Sequence, residues 1–305
     1  TTGLDNVAVG ANALAANTTG EQNVAIGKDA GLAITTGDNN VAVGEQSLIT
    51  ATTADKNTAL GSRALQLTTA VGYRALSANT TADNNTAVGS DALLANTTGA
   101  DNVAVGHVAL DANTTGDGNT AIGKSALGAN TTADNNTAVG NDALILNTTG
   151  ASNVAVGKNA LESNSTGAEN TAVGKSALAA NTTASSNTAV GAESLQANTT
   201  GADNVAVGLG ALKTNTTASS NTAVGKYALL FNTTGATAVG QAALGANTTG
   251  TANTAIGAAA SDATTTGSYN TSVGASALGA HTTGADNTAV GFSSMSALTT
   301  GSNNT

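Results

Sequence analysis

Asn136-Thr137-Ala138-Val139-Gly140, continuing through Ala143-Leu144 and Asn147-Thr148-Thr149-Gly150, decides the fold, because its first five residues return, lightly edited, eighteen times in 305 residues. With the glycine as marker, the phrase recurs at Gly10, Gly27, Gly44, Gly61, Gly72, Gly89, Gly106, Gly123, Gly140, Gly157, Gly174, Gly191, Gly208, Gly225, Gly240, Gly257, Gly274 and Gly291; fifteen of the seventeen intervals are 17 residues. A short fixed period marks a solenoid, since one unit cannot bury its own apolar face and must stack on its neighbours. Numbered from the asparagine, the consensus is Asn-Thr/Val-Ala-Val-Gly-x-x-Ala-Leu-x-Ala-Asn-Thr-Thr-Gly/Ala-x-x.

A helical hairpin is excluded as the repeating unit. Positions 4, 9 and 11 do not make a 3.6-residue stripe, and β-branched residues crowd positions 2, 4, 13 and 14. Positions 1 to 5 read as a strand with Thr/Val and Val on one side and Asn, Ala and Gly on the other. Positions 8 to 11 read as a second short strand led by Leu, and Asn-Thr-Thr-Gly as the return turn. The expected fold is an all-β parallel β-solenoid, a β-roll of 17-residue coils, running through residues 1–305 as a single array of about 18 coils.

Position 4 admits only Val, Ile or Leu, so Val105, Ile122, Val139 and Val156 are expected in the core together with Leu110, Leu127 and Leu144. Position 2 exchanges Val103 for Thr120, near-isosteres, which places it at the core margin. Gly106, Gly123, Gly140 and Gly157 represent a glycine kept in every coil, as a positive φ or a close backbone approach requires. Position 1 is Asn in sixteen of eighteen coils, and Asn102, Asn119, Asn136 and Asn153 are expected to form an axial ladder of amides.

Two coils are short, at 61–72 and 225–240, and both losses fall in the return segment. Tyr73, Tyr227 and Phe231 near them are expected to cover exposed core. The chain begins and stops in mid-repeat, without the basic and apolar regions of a signal peptide, and so reads as an excerpt of a longer array.

Composition narrows the chemistry. With two Phe, three Tyr, one Met and no Trp, a thick core is excluded, and with no Cys neither disulfides nor thiolate metal sites exist. The net charge of -10 comes from nineteen acids and nine bases without a like-charge run, which argues against nucleic acid as a partner. No stretch approaches the roughly 20 apolar residues that span a bilayer, so no membrane insertion is expected of this segment. One Val and one Leu per coil bury too little to offset the ordering of a whole coil, and association with copies of the chain through a flat Asn-Ala-Gly face is the expected remedy.

The quoted phrases resemble the head repeats of trimeric autotransporter adhesins, and closely similar repeats occur in bacteriophage tail-fibre proteins. The resemblance runs through essentially the whole chain and implies a left-handed, trimeric β-roll displayed outside the cell, on a cell or virion surface. The adhesin heads favour a shorter repeat, and this chain carries an extra Asn-Thr-Thr-Gly turn in each coil.

No catalytic, cofactor-binding or metal-binding set emerges. His107 and His281 lie about ten coils apart and read as substituted surface positions. Asp83, Asp101, Asp117 and Asp134 collect at positions 16 and 17, one per coil, and read as solvated turn charges rather than a calcium site. Asn-Thr-Thr at Asn96, Asn113 and Asn130 is formally a glycosylation sequon, which in a eukaryotic secreted protein would form a glycan ridge. The function expected is a non-enzymatic extracellular fibre or adhesin shaft whose partners are its own copies, as a homotrimer or filament, and host-surface or matrix glycans or proteins. A phage tail-fibre segment for host attachment is one alternative. Ice binding by a Thr-rich face is another, opposed by the adjacency of the paired Thr, which puts them on opposite sides of a strand. A polysaccharide-degrading β-helix would need acid clusters and aromatic platforms that this sequence lacks.

Overall fold

The computed structural model describes residues 2–49, 51–64, 69–79, 82–232 and 234–305. It is an all-β parallel β-solenoid. The chain divides into two compact units, Thr1–Ala151 and Ser152–Thr305. In the first, strands from Val7–Val9 to Thr137–Val139 pair in chain order and in parallel; in the second, strands from Val154–Val156 to Thr288–Val290 do the same. Most strands are positions 2 to 4 of the repeat, and the usual register step is one 17-residue coil, as in Thr120 opposite Thr137 and Ala121 opposite Ala138. Identical residues therefore stack in columns.

The strands end at the position-5 glycine because the backbone there turns to a φ of +136° at Gly157, in a region that is essentially glycine's own. A methyl at Gly157 would also stand 2.6 Å from the carbonyl oxygen of Gly174 in the next coil. Positive φ and close approach both apply.

The Leu-led segment is not a second strand. In the coil starting at Asn119, the backbone N–H groups of Ala126, Gly128 and Asn130 donate to the carbonyls of Gly123, Ser125 and Leu127, three turns in succession. Ser125 and Leu127 sit at φ of +57° and +53°, the sign that the third residue of a type II turn requires. Leu110 and Leu144 share this left-handed backbone. A coil of seventeen residues must close on itself within the width of one leucine, and turns curl the chain where a strand would carry it past. Neighbouring coils still bond along the axis here, with the Leu127 N–H donating to the carbonyl of Ala143 and that of Ala129 to Ile145.

The alternation along the strand is as expected, but its orientation is the reverse. The Ala columns at positions 3 and 8 and the Leu column at position 9 are buried, as in Ala121, Ala126 and Leu127, while position 4 faces outward. Ile122 is 40% exposed, and Val105, Val139 and Val156 are only half-buried. The Asn-Ala-Gly side lines the interior and cannot be the flat outer face. Period-two patterning tells which residues share a face, not which face is inside. Here Leu already fills the narrow lumen, so only the methyl of Ala fits opposite it.

Both short coils keep their strands. Thr58–Leu60 pairs in register with Thr69–Val71, and Thr222–Val224 with Ala236–Val239. Residues 65–68 of the first short coil lie outside the described residues. Tyr73, Tyr227 and Phe231 do not cover core; each is at least 38% exposed, with Arg74 and Lys226 placed over the faces of Tyr73 and Tyr227.

Candidate functional site

Two regular arrays dominate the molecule, one inside each coil and one on its outer sheet. The inner array holds the coil together. The position-1 asparagines between Asn23 and Asn287 are buried, and the regular ladder runs from Oδ1 of one to the backbone N–H of its counterpart in the next coil, as Asn119 N–H donates to Asn102 Oδ1 (2.9 Å) and Asn170 N–H to Asn153 Oδ1 (3.0 Å). Nδ2 reaches across the coil, from Asn102 to the Gly116 carbonyl (2.8 Å) and from Asn119 to the Ala133 carbonyl (2.8 Å). Asn136 adds an amide-to-amide bond, Nδ2 to Asn119 Oδ1 at 3.3 Å. The ladder thus runs through the backbone as much as through the amides.

A second buried ladder runs at position 12. Asn113 Nδ2 donates to Asn96 Oδ1 (2.9 Å) and to the Gly116 carbonyl (2.9 Å), and Asn130 repeats the pattern with Asn113 Oδ1 and the Ala133 carbonyl. The position-15 carbonyl therefore receives two amides, one from each side of the coil, and closes it. The signal was present in the sequence, since Asn-Thr-Thr recurs nearly as strictly as the position-1 Asn, but it read as turn chemistry. The same geometry removes the glycan ridge: Asn96, Asn113 and Asn130 are fully buried, and a glycan on any of them is incompatible with the closed coil.

Where the repeat is shortened or position 12 changes, the ladder shows it. At the second short coil, Asn232 Nδ2 turns to Asn221 Oδ1 (2.8 Å), and the buried Asn215 Oδ1 is left without a partner. Asn247 Oδ1 is likewise unpartnered, the next coil carrying Thr264. The acids at position 16 cap the coil before: Ala100 N–H donates to Asp117 Oδ1 (2.7 Å) and Asp117 N–H to Asp134 Oδ1 (2.8 Å). Ser185 and Ser219 take that role in later coils. Among the described residues no three His, Cys, Asp or Glu side chains gather as a metal-binding group, and no helix is long and apolar enough to cross a membrane. His107 is exposed, but His281 is not a surface residue; it is fully buried in the position-12 column.

The outer array is the candidate site. On each strand positions 2 and 4 point outward, so the sheet presents one row of Thr or Val beside one row of Val or Ile. Ile122, Val173, Val190, Val239 and Ile256 are all at least 36% exposed. No coil places a charged residue at positions 1 to 5. The acids and bases lie on the turns, for example the Lys213–Glu193 pair at 2.8 Å. Nine strands at about 4.8 Å each give a strip about 40 Å long and, with two outward side chains per strand, about 10 Å wide in each unit.

No protein-family model matches the chain, and no curated protein matches it.

Proposed function

We propose that the chain is a non-enzymatic structural fibre segment, displayed outside the cell on a cell or virion surface, that assembles with copies of itself through the outer Thr/Val and Val/Ile rows. One observation carries this reading: an uncharged, mostly aliphatic strip faces outward, half-buried to exposed, in every coil, while the buried polar groups are spent on closing the coils. Each strip, about 40 by 10 Å, covers about 400 Å², so the two together offer about 800 Å² per chain, the size class of specific interfaces at about 800 Å² per partner. Identical coils repeat the same contact, so weak contacts add along the strip. A closed assembly of three chains, as the resemblance to adhesin heads and phage tail fibres implies, hides the strips from solvent; open lateral packing gives a filament instead. The charged turns stay outside in either arrangement, available to host glycans or proteins.

Ice binding is a second reading of the same face. The adjacency of the paired Thr no longer opposes it, because Thr at position 2 and Val or Ile at position 4 share one outward side in a regular lattice. The two readings separate experimentally. Native mass measurement of the whole chain, with the Ile122→Lys/Val173→Lys variant beside it, is expected to show an oligomer that the variant splits without loss of β structure. A wild-type monomer that depresses the freezing point would replace the fibre by the ice-binding reading, and a monomer without that effect would remove both.

A further inference from the structure

His281 occupies a ladder site at which most coils carry Asn. Its ring is fully buried, with Nδ1 3.4 Å from Thr264 Oγ1 and Nε2 3.3 Å from Asn287 Nδ2. The identity of the Asn287 amide atoms is fixed by the position-1 ladder, because its Oδ1 accepts the N–H (3.1 Å) and Nδ2 (2.8 Å) of Asn304 while its Nδ2 donates to Asn270 Oδ1 (3.0 Å) and the Gly301 carbonyl (2.8 Å). Both hydrogens of Asn287 Nδ2 are thus committed, and Nε2 faces an amide nitrogen that has no lone pair to offer a second ring N–H.

We propose that His281 makes the coils spanning residues 254–304 an acid-labile segment of the solenoid, folded around a neutral imidazole and opened locally when the ring takes a second proton. The imidazolium would set Nε2–H against the Asn287 amide nitrogen, which cannot accept it, in a column closed to bulk solvent, with Leu298 occupying the same position one coil on. No compensating charge is at hand. The three coils carry only Asp262 and Asp286, and neither acts on the ring's titration; burial lowers its pKa from the ordinary 6.5, opposed only by the Gly301 carbonyl. A lowered folded-state value means that the unfolded segment binds the proton more tightly. The stabilisation is therefore complete above the ordinary imidazole value and is lost as pH falls below it, until the folded-state value is passed.

Hydrogen exchange of the whole chain at pH 7.5 and pH 5.0, corrected for the intrinsic pH dependence, tests this, with the coils at 171–221 as internal reference. Residues 271–304 are expected to lose up to about tenfold of protection relative to the reference for the first unit by which the ring's pKa is lowered, saturating near about thirtyfold at pH 5.0. The H281N variant, which restores the usual ladder residue, is expected to lose none. Equal relative protection at both pH values, or the same loss in H281N, overturns the proposal. Nitrogen NMR of the imidazoles in the wild-type chain, with exposed His107 as reference, guards against a variant that fails to fold: a His281 ring titrating with His107 also overturns it.

Discussion

Asn113 donates its amide nitrogen to Asn96 Oδ1, one coil away, at 2.9 Å, with both side chains shut off from solvent. Truncating Asn113 to Ala removes that bond and strips the bonds to the Gly116 carbonyl and from Asn130 Nδ2. The expected cost is about 3 kcal/mol, in the range set by buried groups left unsatisfied. Chemical denaturation of the Asn113→Ala variant checks it; a loss below about 0.5 kcal/mol would place these amides at the surface.

Glycine is demanded at some places and only tolerated at others. Gly157→Ala, at φ +136° and with a carbonyl 2.6 Å from the new methyl, should destabilise by several kcal/mol, about 2 to 4. Gly118→Asn should be near neutral, because Gly118 lies at φ +66° in a column where Asn135 adopts +59°, and the only close atom to the new Cβ, Asn135 Oδ1 at 2.8 Å, is the tip of an exposed side chain that can swing away. Thermal melts of the two variants should rank them in that order.

The coil beginning at Asn253 and its successor contain a paired exception. Ser261 stands where most coils have Leu, Ser272 where they have Ala, and the two hydroxyls bond at 2.8 Å inside the core. Ser272→Ala alone should cost about 1 to 2 kcal/mol by orphaning Ser261, whereas Ser261→Leu with Ser272→Ala restores the common pair and should stabilise. A double-mutant cycle should give a coupling of about 1 kcal/mol or more; additivity would show that the hydroxyls act independently.

These residues also show what the sequence could and could not disclose. The period, the parallel stacking and the strand at positions 2 to 4 followed from recurrence and β-branching, and Leu110, Leu127 and Leu144 lie inside as their regularity suggested. The orientation of Val139 against Ala138 was not legible. Alternation is symmetric between faces, and the usual preference for burying the larger residue fails when a leucine from the opposite wall already occupies the lumen. The turns around Leu127 were hidden for a related reason, since nothing in its residue type announces a φ of +53° that only coil closure imposes. His281 reads as a surface substitution because the sequence pattern places position 12 in a turn.

The reversed strand faces and the assembly that follows from them can be tested together, because the chain has no Cys to interfere. The measurement is the rate of thiol labelling in Ala121→Cys and Ile122→Cys variants over a range of chain concentration. The thiol introduced at position 121 is expected to react slowly throughout, and that at position 122 to react fast in dilute solution and progressively more slowly as chains associate. Equal rates at the two positions would contradict the assignment of inside and outside, and a position-122 rate independent of concentration would contradict assembly through this face.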